Sequence, residues 1–553
     1  MSGLLAAGSI GPLSASAKEA VSAGSLRLFN PRDHGAHGDG TTLDTTPLNE
    51  AIDACHQAGG GVAYVPPGIY LCGTVVLKSN VTLYLEAGAT LLGSSKLSDY
   101  VSQRGLGEKS DTNGKHLIFA RDAENIGLAG PGRIDGQGPK FWVPSGRVPP
   151  PPEDGWRDVA TYDWKPLPRP SPLLEFYNCR NVRIEDVRIE NAPSWTLRPI
   201  QCNNVFIRGI QIKNPVIGPN TDGLDLTCSQ NVFVSDCLID TGDDAICLKS
   251  ENPYSDEIPV SKNITITNCV LTSCCNGLKF GTSTRGGFEN ITFSNCVLYN
   301  EDVRPAARMI AGIAVEMVDG GWVEGVVISN VRMQRVRTPI FIRRGARRNR
   351  PDGTPGTLRG VMIDNLHATN SILTSSITGL PTFEAEEVSL SNIRIDSDEA
   401  GKEEWVKFDV SESEQKYPEA RMFGRLPAAG LYCRHVRGLS ARNVKFKFSS
   451  KEERPAMVFD DVRDAVIEGL RTSPVMGKQP VIKLIQSKEV VVRDCTAPPS
   501  TAPYPYLDIE GDQTEHVVVM GNDFMFAKRA TRQSPDVPEG AVSLAGNVHK
   551  VLR

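Results

Sequence analysis

The chain has 553 residues, 40% hydrophobic and 23% charged, and carries a net charge of −5. That balance fits a soluble folded protein and offers no basic footprint for nucleic acid. No apolar run approaches the roughly 20 residues that span a bilayer, so a membrane partner is excluded with it.

In chain order, Leu4 to Leu13 is weakly apolar and Ala15-Ser16-Ala17 has the small-x-small form of a cleavage site, without a basic segment ahead of it. Residues 1–26 are therefore expected to be a signal remnant or a disordered terminus of a secreted or periplasmic protein, with residues 27–553 as one catalytic domain. Asp44 to Ala58 spaces Leu48, Ile52 and Cys55 as a helix does, and a short helix there would cap the apolar end of a repeat stack. Residues 62–94 read as its first coils. The Pro-rich stretch at 139–172, with Trp142, Trp156 and Trp164, is too long for an idle loop and is expected to fold over one rim of a groove.

The repeat itself starts at Asn181, Asn204, Asn231, Asn263, Asn290 and Gly325, every 23–35 residues. Weaker copies start at Gly360, Glu387, Gly438, Glu489 and His516. Each unit alternates apolar and polar residues with many β-branched side chains, which reads as strand. Self-similarity at this period reads as a solenoid. A leucine-rich framework is absent and the units are too short for propeller blades, leaving an all-β fold, a right-handed parallel β-helix. Cys237, Cys269, Cys296 and Cys495 recur after Asn or Asp at one point of the repeat. They are expected to form an inward ladder of free thiols rather than a disulfide framework.

Two acidic signatures stand about one repeat apart: Asn220-Thr221-Asp222-Gly223 and Gly242-Asp243-Asp244-Ala245. On neighbouring coils Asp222, Asp243 and Asp244 would converge. Like charges held together raise one another's pKa, a costly arrangement for structure alone but suited to glycosidic-bond hydrolysis, which needs one protonated acid and an ionised partner. Sequential residues on a regular strand face opposite ways, so both Asp243 and Asp244 reach one groove only if that segment is bent. Asp225 is expected to be a coil-corner residue that satisfies turn backbone.

These residues resemble glycoside hydrolase family 28, the polygalacturonase and rhamnogalacturonase group. Asp33-His34-Gly35-Ala36, Gly38-Asp39-Gly40, Asp44-Thr45 and Val65-Pro66-Pro67-Gly68 are similar to its N-terminal cap, and Ile134-Asp135-Gly136-Gln137-Gly138 to its entry into the catalytic coils. With the two acidic signatures, the similarity covers roughly residues 27 to 345. It implies inverting hydrolysis of a pectic or other plant cell-wall glycan, acidic or neutral, with Asp243 as general acid and Asp222 and Asp244 activating water. It implies no metal and no organic cofactor.

The chain departs from the family pattern twice. Cys275-Asn276-Gly277 replaces Gly-His-Gly, and Ala314-Val315-Glu316 replaces the Arg-Ile-Lys that grips a galacturonate carboxylate. A carboxylate in place of the cationic clamp would repel galacturonate, so a neutral catalytic subsite such as rhamnose is expected, with Glu316 accepting sugar hydroxyls and Asn276 facing the substrate. Charge could come instead from Lys249 or from Arg343-Arg344, whose bland alternatives are an exposed strand end and a solvated rim. Asn220, Trp195 and Arg198 are candidates for sugar subsites, although Trp195 packs equally well between coils. Tyr417-Pro418-Glu419 and His435 lie in a less regular segment that could fold back toward the groove, with no assigned role and His435 read as structural. The inserted stretch favours attack from a chain end. A polysaccharide lyase and a non-catalytic glycan-binding β-helix are the alternatives. The lyase is disfavoured because no Lys or Arg base is evident beside the trio.

Overall fold

A strand that alternates apolar and polar residues must bury one face, and a short repeat cannot do so alone. Stacking identical turns buries all those faces in one continuous interior. In the computed structural model, which describes residues 27–102, 114–146, 164–301, 308–474, 478–499 and 504–549, 39 strands form one sheet wound coil upon coil with parallel pairing throughout. This is the right-handed parallel β-helix expected from the repeat, the hand that a right-twisted parallel crossover adopts. Residues 1–26 and Trp156 lie outside the described residues. Among those described, no helix is long and apolar enough to cross a membrane.

The repeat starts have a shared conformational cause. Asn181, Asn204, Asn231, Asn263 and Asn290 all have φ between 53° and 62°, as Gly325, Gly360, Glu387, Gly438, Glu489 and His516 also have positive φ. Each coil turns its corner through a left-handed residue, which Asn and Gly adopt at least cost. The amides then stack: Asn181 donates to Asn125 at 2.9 Å, Asn204 to Asn181 at 2.7 Å, Asn263 to Asn231 at 3.0 Å and Asn290 to Asn263 at 3.3 Å.

Helix α1 (Thr45–Gln57) buries Leu48, Ile52 and Cys55 over the first coils. All 13 cysteines are buried and outside any disulfide, and Cys237, Cys269, Cys296 and Cys495 lie within the interior cluster. The column of strands that carries the site is β1 (Leu174–Tyr177), β2 (Leu197–Ile200), β3 (Leu224–Thr227), β4 (Ile246–Ser250), β5 (Asn276–Thr284), β6 (Ala311–Met317) and β7 (Thr338–Arg344). Its register sets Asp225 beside Cys247, Cys247 beside Lys279, and Lys279 beside Ala314.

Candidate active site

The two acidic signatures are the turns that lead into β3 and β4, and their backbones bond directly: Gly223 donates to the Asp244 carbonyl at 2.9 Å and Leu224 to that of Ala245 at 3.0 Å. Ala245 in turn donates to Asn276 O at 2.8 Å. Residues 242–245 form a bend between Leu238–Thr241 and β4, and both Asp243 and Asp244 line the cleft above it. Thr241 and Ser273 hydroxyls each donate to the Asp243 carbonyl at 2.6 Å, and the Asp244 N–H donates to Asp243 Oδ1 at 2.9 Å. The bend needs close coil contact. A Cβ on Gly242 would meet Gly218 O at 2.6 Å and Thr221 Oγ1 at 2.7 Å, and one on Gly223 would meet Ala245 O at 2.4 Å. Gly242→Ala is expected to cost about 1–3 kcal/mol, read as a lower unfolding midpoint, with a loss of turnover because the turn carrying Asp243 must shift. An unchanged melting curve and unchanged turnover would show that the turn yields freely.

The cleft encloses about 620 Å³. Asp222 and Asp244 are buried beneath it and Asp243 is half-exposed. Two buried lysines stand among the acids. Lys249 Nζ lies 3.3 Å from Asp225 Oδ1 and 3.9 Å from Asp222 Oδ2, and Lys279 Nζ lies 3.1 Å from Asp244 Oδ2. The carboxyls therefore diverge. Burial, then Asp243 and Asp225, push Asp222 well above the ordinary carboxylate range. Burial works the same way on Asp244, but Lys279, Lys249 and the Asn276 amide outweigh it and hold that group below the usual range. Burial raises Asp225 to about 6 against the pull of Lys249 and Arg198.

Asn220, Trp195, Arg198 and Lys249 all line the cleft. Lys249 is only 7% exposed, with its ammonium 4.7 Å over the Trp195 ring; it is no exposed strand end. Arg198 is committed beneath, donating from Nε to Glu175 Oε2 at 2.7 Å, while Glu175 also accepts from the Tyr254 hydroxyl. Asn220 accepts from Arg169 Nη2 at 3.0 Å. Arg169 also donates to Pro193 O and Pro219 O, so the C-terminal arm of the Pro-rich stretch is tied to the Asp222 turn. The N-terminal arm pairs Trp142–Pro144 antiparallel with Trp164–Pro166. Residues 147–163 between them lie outside the described residues.

Several expectations are corrected. Asn276 does not line the cleft; its amide donates to Asp244 Oδ1 at 2.7 Å from behind. Glu316 does not line it either. It is 1% exposed and faces Lys279 at 3.7 Å, because β6 directs it under the cation of the preceding coil. Asp225 is not a corner residue but sits within β3, enclosed by Lys249 and Arg198. Arg343 and Arg344 are buried on β7 and donate to the carbonyls of Gly379, Glu412, Gly356 and Glu384. Cations do stand beside the trio, contrary to the reading that found none. His435 bridges Asp461 and Glu412 and does not line the cleft.

Sequence reasoning missed Lys279 and the arginine rim, and singled out Tyr417 without giving it a role. Arg285, Arg347 and Arg348 line the cleft. Arg347 is fixed by a bidentate bond to buried Asp319 at 2.7 and 2.6 Å, and Arg285 and Arg348 both approach Glu251, at 3.9 and 3.2 Å. Tyr417 arrives from 138 residues beyond Lys279, and its hydroxyl accepts from that ammonium at 3.4 Å. Lys279 had a visible signal, a lone charge in the apolar run Leu278-Lys279-Phe280. The rim arginines had none.

A family model described as glycosyl hydrolases family 28 matches residues 55–413. A probable polygalacturonase of Vitis vinifera is 26% identical over 399 residues, covering 68% of this chain and 76% of that protein. An exo-poly-alpha-D-galacturonosidase of Dickeya chrysanthemi is 29% identical over 349 residues, covering 57% of this chain and 56% of the relative's own length. The crystal structure of a hyperthermoactive exopolygalacturonase from Thermotoga maritima superposes with a TM-score of 0.54 at 25% identity, covering 67% of this chain and 87% of that one.

Proposed function

The chain belongs to glycosyl hydrolases family 28 and is a glycoside hydrolase, and we propose that it cleaves an acidic pectic chain, with inversion, in the cleft above Asp222, Asp243 and Asp244. The observation that carries this reading is a carboxyl trio split into a proton-holding side and an anionic side, set within a cationic wall of Lys249, Lys279, Arg285, Arg347 and Arg348. Glu316 was the ground for a neutral subsite. Since it lies under Lys279 and outside the cleft, that ground is gone and uronate recognition is favoured. Attack at a chain end is supported by the names of the Dickeya and Thermotoga relatives, and an extracellular location fits such a substrate.

Asp222, expected to activate water, is instead pushed toward its protonated form by burial, Asp243 and Asp225, so in this mechanism it stands on the acid side and the Asp222–Asp243 pair supplies one proton. Asp243, the half-exposed member, gives that proton to the glycosidic oxygen as the bond from C1 breaks. Water attacks C1 from the opposite face and loses its proton to Asp244, which its lysine and amide partners hold ionised. The first product carries the inverted anomeric configuration. Trp195 offers a flat apolar face for a sugar ring. Lyase chemistry on the same fold would leave an unsaturated product; hydrolysis leaves none.

The test is product analysis on polygalacturonate and on rhamnogalacturonan oligosaccharides of defined ends. Release of monogalacturonate from polygalacturonate, with the first anomer inverted by NMR, is the expected result. A ladder of oligomers would overturn the chain-end reading, and release from rhamnogalacturonan alone would overturn the uronate reading. The double variant Arg285→Gln/Arg348→Gln is expected to raise KM several-fold on de-esterified substrate and much less on a methyl-esterified one. The difference should shrink at high salt, because exposed charges are screened. Equal effects on both substrates would remove the rim from carboxylate recognition.

A further inference from the structure

Glu316 is energetically out of place. Both of its oxygens are buried and lack a hydrogen-bond partner, on a strand whose neighbours Val315 and Met317 are apolar. An unpaired buried carboxylate is expensive, and burial pushes this one up to about 8 despite the opposing charge of Lys279. The opposite charge it faces is Lys279, 3.7 Å away and 3% exposed. That ammonium reaches past Glu316 to Asp244 Oδ2 at 3.1 Å, while Asn276 holds Asp244 Oδ1 at 2.7 Å. Each oxygen of Asp244 is thus tied separately, from two positions of β5 three residues apart, and Tyr417 packs against the ammonium from another side.

We propose that Lys279 is a positioning residue for Asp244: seated between Asp244 and Glu316, its ammonium fixes the orientation and the negative charge of the water-activating carboxylate, with Asp244 as its close ionic partner. The groups that face this pair are Asp243 beside Asp244, Asp222, Asp225, Lys249 and Cys247 from the same and preceding coils, Cys275 just before β5, Tyr417 from the 398–430 segment, and Glu419 on the side of Glu316. Among the described residues, Lys279 is the cation within salt-bridge distance of Asp244 Oδ2. The inference rests on the hydrolase reading above for the word water-activating, but its geometry does not.

The experiment compares wild type with Lys279→Arg, Lys279→Met and the double variant Lys279→Met/Glu316→Gln, which removes both ionisable groups and keeps a folded core within reach should the single variant fail to fold. In the kcat–pH profile on polygalacturonate, loss of the ammonium is expected to move the acidic limb upward by about 1–3 pH units, with Lys279→Arg close to wild type. In parallel, the Asp carboxyl carbons are titrated by 13C NMR, with Asp244 assigned by its loss in Asp244→Asn. The Asp244 midpoint should rise by the same amount without any substrate present. An unmoved Asp244 midpoint overturns the proposal, as does an unmoved acidic limb with KM raised only on de-esterified substrate, which would make Lys279 a reader of the substrate carboxylate. If wild type cleaves no pectic substrate, the functional reading fails while the NMR titration still decides the role of Lys279.

Discussion

Asp243→Asn is expected to lower kcat by about 10²–10⁴-fold, the size of a lost general acid, with no fall in the unfolding midpoint. The carboxamide keeps the shape of the side chain and can still accept the Asp244 N–H that Asp243 Oδ1 accepts at 2.9 Å. It also removes a like charge from Asp222, whose proton Asp243 helps to retain, so stability should hold or rise slightly. The pH profile separates this role from a structural one. Asp222 is held above the ordinary range, so the shared proton and the activity that needs it are lost as pH rises through that raised value. Asp244 is held below the range, so activity is also lost as pH falls through its lowered value. Wild type should therefore be bell-shaped and Asp243→Asn should lack the basic limb. An aryl uronide with a good leaving group needs little protonation and should be much less impaired. A variant equally slow on both substrates, with its basic limb intact, would remove Asp243 from the acid role.

Arg198→Met is expected to destabilise the protein by about 3–5 kcal/mol, because it strands a buried partner. Glu175 lies fully inside the coil stack, and against the cost of burial Arg198, His116 and the Tyr254 hydroxyl hold it ionised below the usual range. Without Arg198 the carboxylate keeps its desolvation cost and loses its nearest counter-charge. Urea denaturation of the single variant against Glu175→Gln/Arg198→Met measures this, and the double variant should recover much of the loss. The contribution of Glu175 is present above the ordinary carboxylate range and lost as pH falls through its lowered value. Wild type and Arg198→Met should therefore converge in stability on acidification. Unchanged denaturation with a raised KM would instead make Arg198 chiefly a sugar contact.

Both residues belong to one buried sequence of alternating acidic and basic side chains under the cleft: Glu175 with Arg198, Arg198 and Lys249 around Asp225, then Asp244 with Lys279 and Lys279 beside Glu316. Neighbouring coils are about 4.8 Å apart, so opposite charges on successive strands of one column fall within pairing distance without any loop to bring them together. The regularity of the solenoid is what allows a charged layer to be buried at all, since each member is matched by the coil above or below. The same regularity separates the carboxyls of the trio by environment, with Asp222 beside other acids and Asp244 beside Lys279.

The sequence by itself determined the coils, because the signals that set them are local. Asn181, Asn204 and their successors mark left-handed corners, a property of one residue's backbone, and the alternation between them marks which faces turn inward. The bend at Gly242-Asp243-Asp244 was legible for the same reason, since two sequential acids cannot share a groove on a regular strand. What only the tertiary structure decided is which side chains meet across coils. Glu316 reads as a cleft residue from its place in the chain, yet the register of β5 with β6 seats it beneath Lys279. Asn276 reads as a substrate contact, yet it holds Asp244 from behind. Tyr417 reaches the cleft through a segment with no periodicity to follow. Contacts of this kind depend on register and on chain returning from far along the sequence, and neither leaves a mark on the residues nearby.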